Sequence, residues 1–328
     1  MKEFVIKKND ADQRLDKYIT KAFPLLPKSL MYKYIRSKRI KINGKKSDIA
    51  YRLREGDLIS LYINDEFFGS QNPKYDFLSA GKQLNIVYED NNILLCDKPA
   101  GLLSHPDAGE YNDTAITRIK RYLYEKKEYN PEEENSFSPA LVNRIDRNTS
   151  GIIIAAKTSA ALRILNEKLK NRELHKLYLC VVIGKLKENS GILNGYLEKN
   201  EDRNKVYVSE KSTDKTKEIS TKYKVLGYKN GLSLLEVELL TGRTHQIRAH
   251  FSYYGHPLLG DGKYGTNEQN KKFGGYKKQF LCSYKLIFDF KSDAGELNYL
   301  NGKEFKVNSV WFKEAFFNGT IQNSKKEN

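Results

Sequence analysis

Apolar and polar positions along this chain follow two different periods, and the change of period divides it. In "ADQRLDKYITKAF" the residues Leu15, Tyr18, Ile19, Ala22 and Phe23 recur three to four apart, which predicts a helix face, and Pro24 closes the run. "PKSLMYKYIRSKR" repeats the pattern with Leu30, Met31, Tyr34 and Ile35, opened by Pro27. Asn43-Gly44 predicts a tight hairpin, because both central positions of such a turn need positive φ. "YRLREGDLISLYI" then predicts a turn at Glu55-Gly56-Asp57 followed by a strand. Residues 65–82 lose periodicity and read as a linker between a first domain at 1–64 and a second at 83–321. The second opens with two short strands around Asp90-Asn91-Asn92 and a Lys98-Pro99-Ala100-Gly101 bend. Helices are expected over 113–126 and 159–171, a polar surface loop over 126–139, and a buried strand from Gly151 to Ala156. Further strands are expected at 176–184, 204–208, 219–228 and 231–240, and a disordered tail at 322–328. Many strands with few helices between them predict an α+β fold: a small helix-helix-hairpin domain, then a mixed, mainly antiparallel sheet.

Charge adds a partner to this picture. The net charge is +16, and residues 1–64 hold 16 lysines and arginines against seven acids. Uniform compositional drift would not concentrate charge in the first fifth of the chain. The second predicted helix carries Lys28, Lys33, Arg36, Lys38 and Arg39, and the hairpin carries Lys41, Lys45 and Lys46. A solvated helix face would look similar, but so dense a row of flexible cations suits phosphate oxygens, and nucleic acid is the expected partner. No apolar run reaches the ~18–20 residues that span a bilayer. The N-terminus lacks the apolar core of a signal peptide, so a cytoplasmic protein without a membrane partner is expected. Cys96, Cys180 and Cys282 lie among apolar residues at spacings that fit neither a disulfide framework nor a metal knuckle, and buried reduced thiols are expected. The first segment resembles the alpha-L RNA-binding domain shared by a small-subunit ribosomal protein and several RNA-modifying enzymes, over roughly residues 12–63.

Three clusters in the second domain carry candidate chemistry. "NRIDRNTSG", 143–151, sets Asp146 between Arg144 and Arg147 at the mouth of an apolar strand. "HKLYLCVVIGK", 175–185, places Tyr178 near the start of another. "LLTGRTHQIRAHF", 239–251, is followed by "GHPLLGDGKYG", 255–265. Singly, each has a plain structural explanation: an ion pair for Asp146, a core position for Tyr178. His245, His250 and His256 have no metal-ligand spacing, so no metal is expected. "GDGKYG" satisfies G-x-G-x-x-G, yet it follows His-Pro rather than a strand and has no acidic residue about 20 positions on, so it fails as a dinucleotide loop.

Together and in order, "YEDNNILLCDKPAGLLSHP", "RIDRNTSG", "KLYLCVVIGK", "TGRTHQIRAHF" and "GHPLLGDGKYG" resemble the RluA-type pseudouridine synthases over most of residues 84–265. The basic first domain is similar to that of the branch acting on large-subunit ribosomal RNA. This chain departs from the family in carrying Asn143 where His is usual, and "FLCSYKL" where Leu-His-Ala is usual. The resemblance implies a catalytic domain with a central cleft that isomerises uridine to pseudouridine without a cofactor. It implies that Asp146 is the catalytic group and that Arg248 holds its charge, an arginine being able to pair bidentately without losing its proton. Tyr178 would lie on the flipped uracil, and Arg144 would help fill the gap the uridine leaves. Arg147, Arg243 and His245 would touch RNA. The expected partner is large-subunit ribosomal RNA or a precursor ribosomal particle, and the expected state a monomer. The residues leave open a non-catalytic ribosome-assembly factor on the same fold, an RNA N-glycosidase, and the same reaction on transfer RNA.

Overall fold

A computed structural model of the chain describes residues 1–69, 75–200 and 205–321. The expected tail at 322–328 lies outside the described residues, as do positions 70–74 of the expected linker and the first residue of the strand expected at 204–208.

The first domain is built as its sequence periods dictate. Strand β1 (Lys2–Val5) precedes helices α1 (Leu15–Ala22) and α2 (Lys28–Arg36), hairpin strands β2 (Ile40–Ile42) and β3 (Lys45–Lys46), and strand β4 (Leu58–Leu61). Asn43 and Gly44 adopt φ of 52° and 75°, as the hairpin requires. The sheet order is β1-β4-β2-β3, and its apolar face closes with both helices over Leu15, Tyr18, Ile19, Met31, Ile35, Ile40 and Ile59. β1 was not legible in the periodicity, because it pairs as an edge strand with β4 and has little buried surface of its own.

The second domain comprises β5 (Asn85–Glu89), β6 (Ile93–Lys98), α3 (Ala115–Glu125), β7 (Ala140–Leu141), β8 (Ser150–Ala156), α4 (Ser159–Lys170), β9 (Leu174–Ile183), β10 (Ser190–Asn200), β11 (Lys205–Ser209), β12 (Lys217–Lys229), β13 (Leu232–Leu239), α5 (Gln246–Tyr253), α6 (Asn267–Lys271), β14 (Leu281–Phe288), β15 (Glu304–Lys306) and α7 (Lys313–Asn318). One sheet runs in the order β11-β10-β12-β13-β9-β14-β8-β6-β5, with β15 paired to β14 and β7 to β8. Among the described strands only β8 and β14 pair in parallel. Alternate residues of the central strands feed two cores, as strand geometry demands. Leu179, Val181, Ile152 and Ile154 pack toward α4 and the C-terminal aromatics Phe288 and Phe312. Tyr178, Cys180, Ile153 and Ala155 pack toward α3 and α5. The three cysteines are buried free thiols.

Two expected connections are more than connections. The segment read as a linker contributes Phe68 to the first domain, stacked 6.2 Å from Phe4, and Phe77 to the second, where it is fully buried. The loop read as polar surface at 126–139 receives the first domain. Asp10, fully buried, accepts from Ser136 N (3.0 Å), Ser136 Oγ (2.6 Å) and Asn135 Nδ2 (2.9 Å). Asn9 Nδ2 donates to Glu134 (2.9 Å), Gln13 Nε2 to Ser136 Oγ (2.7 Å), and Arg163 of α4 pairs with Asp12 at 3.2 Å. A loop that forms so many long-range polar bonds looks hydrophilic in sequence, because its partners lie more than 120 residues away.

Candidate active site

Asp146 ends a loop that is pinned at every side. Asn143 Oδ1 accepts the N–H of Ile154 at 2.8 Å, tying the loop back to β8; this buried amide gives the residue found at the departed motif position a structural job. Thr149 N donates to the Asp146 carbonyl (3.1 Å), and its hydroxyl accepts from Gln279 Nε2 (2.6 Å). At Gly151 φ is +110°, and an added Cβ would lie 2.2 Å from the Ser283 carbonyl oxygen, so the β8–β14 pairing admits only glycine there. Lys98, 1% exposed, donates through Nζ to the carbonyls of Pro99 (3.0 Å), Leu102 (2.6 Å) and Arg147 (3.0 Å). Burial pushes its pKa down to about 8, against the pull of the Asp146 charge. A buried ammonium therefore clamps the Arg147–Asn148 peptide, one residue beyond Asp146.

The side chain of Asp146 keeps 23% of its surface exposed, and its Oδ2 accepts from Arg248 Nη1 at 2.8 Å. Arg248 stands in α5, a helix the sequence periods did not announce. Its N-cap position is His245, in left-handed backbone (φ 53°) and without a side-chain cap, so no Ser, Thr, Asp or Asn signal marks the start. The expected bidentate pairing of Arg248 with Asp146 is not what forms. The guanidinium is bidentate to Asp261 instead: Nε reaches Oδ2 at 2.6 Å and Nη2 reaches Oδ1 at 3.0 Å. Burial works against charge on Arg248, but the two carboxylates outweigh it and hold the group firmly protonated.

Tyr178 lies in β9 on the same sheet face and is almost wholly buried. Burial pushes its hydroxyl up to about 12, the Asp146 charge acts in the same direction, and a hydrogen bond with Ser283 opposes it; the phenol is therefore neutral at physiological pH. His245 brings Nε2 to 3.8 Å from Asp146 Oδ2 and Nδ1 to 2.9 Å from the Tyr264 hydroxyl. That hydroxyl also accepts from Val206 N (3.0 Å). Burial depresses the His245 pKa, with the Asp146 charge opposing, which favours the neutral imidazole.

The structure thus gathers Asp146, Arg248, Tyr178 and His245 at one end of the sheet. Arg144, Arg147 and Arg243 lie exposed on the loops around them. Lys28, Lys33, Arg36, Lys38, Arg39, Lys45 and Lys46 are exposed on the separate first domain, and Lys41 is half-buried with its amine 5.2 Å from the Tyr62 ring. Sequence reasoning missed Lys98, Asp261 and Tyr264 as parts of the site. A lysine closing the apolar run "ILLCDK" was a signal for the first; for the other two the glycine-rich "GDGKYG" drew attention to phosphate binding instead. Among the described residues no group of three or more His, Cys, Asp or Glu side chains could hold a metal ion.

One buried end of the sheet therefore carries a partly exposed carboxylate, a shared guanidinium and a neutral phenol. Comparison with known proteins gives the class. Residues 92–253 match the RNA pseudouridylate synthase family, and residues 13–59 match the S4 domain. An RNA pseudouridine synthase of Mycoplasma capricolum is 35% identical over 320 residues, 95% of this chain and 99% of that one. The ribosomal large subunit pseudouridine synthase D of Borreliella burgdorferi is 31% identical, covering 88% of this chain and 85% of its own. Synthase C of Vibrio parahaemolyticus is 30% identical, covering 92% of each. The fold of human RNA pseudouridylate synthase domain containing 4 superposes with a TM-score of 0.53 at 20% identity, over 70% of this chain and 89% of that one. The chain belongs to the RNA pseudouridine synthase family. It is an RNA-modifying enzyme with an N-terminal S4 domain, and RNA is its substrate.

Proposed function

We propose that this enzyme isomerises uridine in large-subunit ribosomal RNA, with Asp146 as the catalytic carboxylate and the target base flipped out of its helix. The observation that carries this reading is the state of Asp146: partly exposed at a buried sheet end and held through one oxygen by a permanently charged arginine. Pseudouridine formation breaks the bond from the sugar to ring nitrogen 1, turns the base, and joins the sugar to ring carbon 5. Nitrogen 1 gains a proton and carbon 5 loses one, so the reaction is an isomerisation that consumes no redox equivalent. An ionised carboxylate at the glycosidic bond serves it as nucleophile or base. Tyr178, neutral and held on the sheet beside Asp146, is the ring on which a flipped base would stack, a contact worth roughly 1–3 kcal/mol once its face is uncovered. Arg144, exposed beside Asp146, is suited to occupy the space the uridine leaves, because extrusion costs a few kcal/mol. The exposed cations of the S4 domain supply affinity through phosphates.

The relatives named for the ribosomal large subunit support that target. The test is a pseudouridine map of large-subunit ribosomal RNA from cells lacking the protein, with rescue by the wild type or by Asp146→Ala. Discrete sites lost, and restored by the wild type alone, are the expected result. An unchanged ribosomal map with sites lost from transfer RNA would move the substrate; restoration by Asp146→Ala would remove the role given to the carboxylate.

A further inference from the structure

The segment "GDGKYG", rejected as a nucleotide loop, lies directly behind the candidate active site. Asp261 is 1% exposed and accepts four hydrogen bonds: Arg248 Nε (2.6 Å) and Nη2 (3.0 Å), and the backbone N–H groups of Lys263 (2.9 Å) and Tyr264 (3.1 Å). It reaches this place because Gly260 allows a backbone that other residues resist: φ is +77°, and a Cβ there would lie 2.0 Å from the Lys278 carbonyl oxygen. Asn270 Oδ1 accepts Gly260 N at 2.8 Å and fixes the same turn. Tyr264 lies beneath the guanidinium, with Arg248 Cζ 5.1 Å from its ring centre. The plane and direction of the arginine fork are thus set before any substrate arrives.

A guanidinium free to choose would take a carboxylate with two parallel N–H bonds. Here that pairing is spent on Asp261, and Asp146 receives a single bond through Nη1. Among the described residues Asp146 Oδ1 accepts no hydrogen bond. A carboxylate with both oxygens gripped is a poorer nucleophile and a poorer base than one with a free oxygen. We infer that Asp261 is a positioning residue of the reaction: by occupying Nε and Nη2 it keeps Arg248 from closing on both oxygens of Asp146 and leaves Oδ1 open to the nucleotide. This rests on the reading of Asp146 as the catalytic group. Asp261 touches no substrate and acts only through Arg248.

The experiment is single-turnover kinetics on an RNA substrate of the full-length protein, for Asp146→Asn, Asp261→Asn, Asp261→Glu, Arg248→Met and the double variant Asp261→Asn/Arg248→Met. Asparagine still accepts the N–H groups of Lys263 and Tyr264 but cannot hold the fork. The expected loss for Asp261→Asn is on the order of 100-fold in rate, as for a sub-ångström to ångström displacement of a reacting group, with RNA affinity unchanged. Asp261→Glu, which restores the charge, recovers part of that loss. In the Arg248→Met background Asp261→Asn adds less than about twofold, because the residue it acts through is gone. Thermal unfolding of each variant reports folding separately. Three results overturn the inference: a wild-type rate in Asp261→Asn, equal loss in the Asn and Glu variants, or full additivity with Arg248→Met. Activity in Asp146→Asn would instead overturn the reading beneath it, whatever Asp261 does.

Discussion

The two ends of this molecule handle charge in opposite ways. On the S4 domain the cations of α2 and the hairpin point into solvent, and hardly any is fixed by a partner: Arg39 stacks 4.9 Å from the Tyr34 ring and Lys41 lies over Tyr62. At the sheet end of the second domain the charges are tied down. Arg248 is shared by two carboxylates, Asp261 takes four bonds, and Lys98 is locked on three carbonyls. On the proposed function, the difference is that between holding and reacting. Phosphates are many and alike, so many mobile cations suffice and each can be spared. A single bond to be broken needs one group at one place, and that group needs its neighbours fixed.

The sharpest attack on this contrast is Asp146→Asn. Turnover should fall by about 10⁴-fold or more, as for other catalytic groups that act as a unit, while RNA affinity measured by filter binding stays at the wild-type value. A parallel fall in affinity would mean that the carboxylate holds rather than reacts. Next in size is Arg248→Met. Removing the guanidinium leaves Asp261 buried and unpaired, which should cost on the order of 3–5 kcal/mol in chemical denaturation. The same pair has a pH signature. Burial alone would raise the Asp261 pKa, but the Arg248 bonds and backbone N–H groups hold it below the ordinary value. Its stabilisation is therefore complete above pH ~4, the unfolded value, and is lost as acid carries the pH through the folded one. The melting-temperature gap between wild type and Asp261→Asn should narrow on acidification; a gap that widens would contradict the assignment.

Smaller effects belong to the other end. Neutralising Lys28, Lys33, Arg36, Lys38 and Arg39 together should flatten the salt dependence of RNA binding by roughly 0.7–0.9 in log–log slope for each phosphate that is no longer neutralised. The single-turnover rate at saturating RNA should not move. The smallest effect is expected from Lys33→Ala alone, a change in affinity below about threefold. If one lysine of the row carried most of the affinity, the S4 surface would be a specific site and the contrast would dissolve.

How much of this was legible in the sequence follows the same divide. Local grammar announced α1, α2 and the Asn43-Gly44 hairpin, because helix periods and a positive-φ turn are properties of neighbours. Asp146, Tyr178 and Arg248 were legible through ordered motifs, and the structure brings them to one sheet end. The two-residue β7, the parallel β8–β14 pairing and the start of α5 were not, since each depends on residues far along the chain or on an uncapped helix. Asp261 was hidden for a chemical reason: its glycine neighbours are there for a close backbone approach, and in sequence that need looks the same as cradling a phosphate. The departure at Asn143 was visible, but its hydrogen bond to Ile154 could be found only in three dimensions.

The seam around Asp10 has a further consequence. A fully buried carboxylate that receives three bonds from Asn135 and Ser136 welds the S4 domain to the domain that carries Asp146. Two such surfaces on a floppy tether would search every uridine within reach. On the proposed function, two surfaces joined this way would act as a caliper: with the S4 domain seated on a phosphate ridge, only a uridine at one fixed span from it would reach Asp146. Selection of that kind is a measurement of length, and it would need no base to be read between the two surfaces.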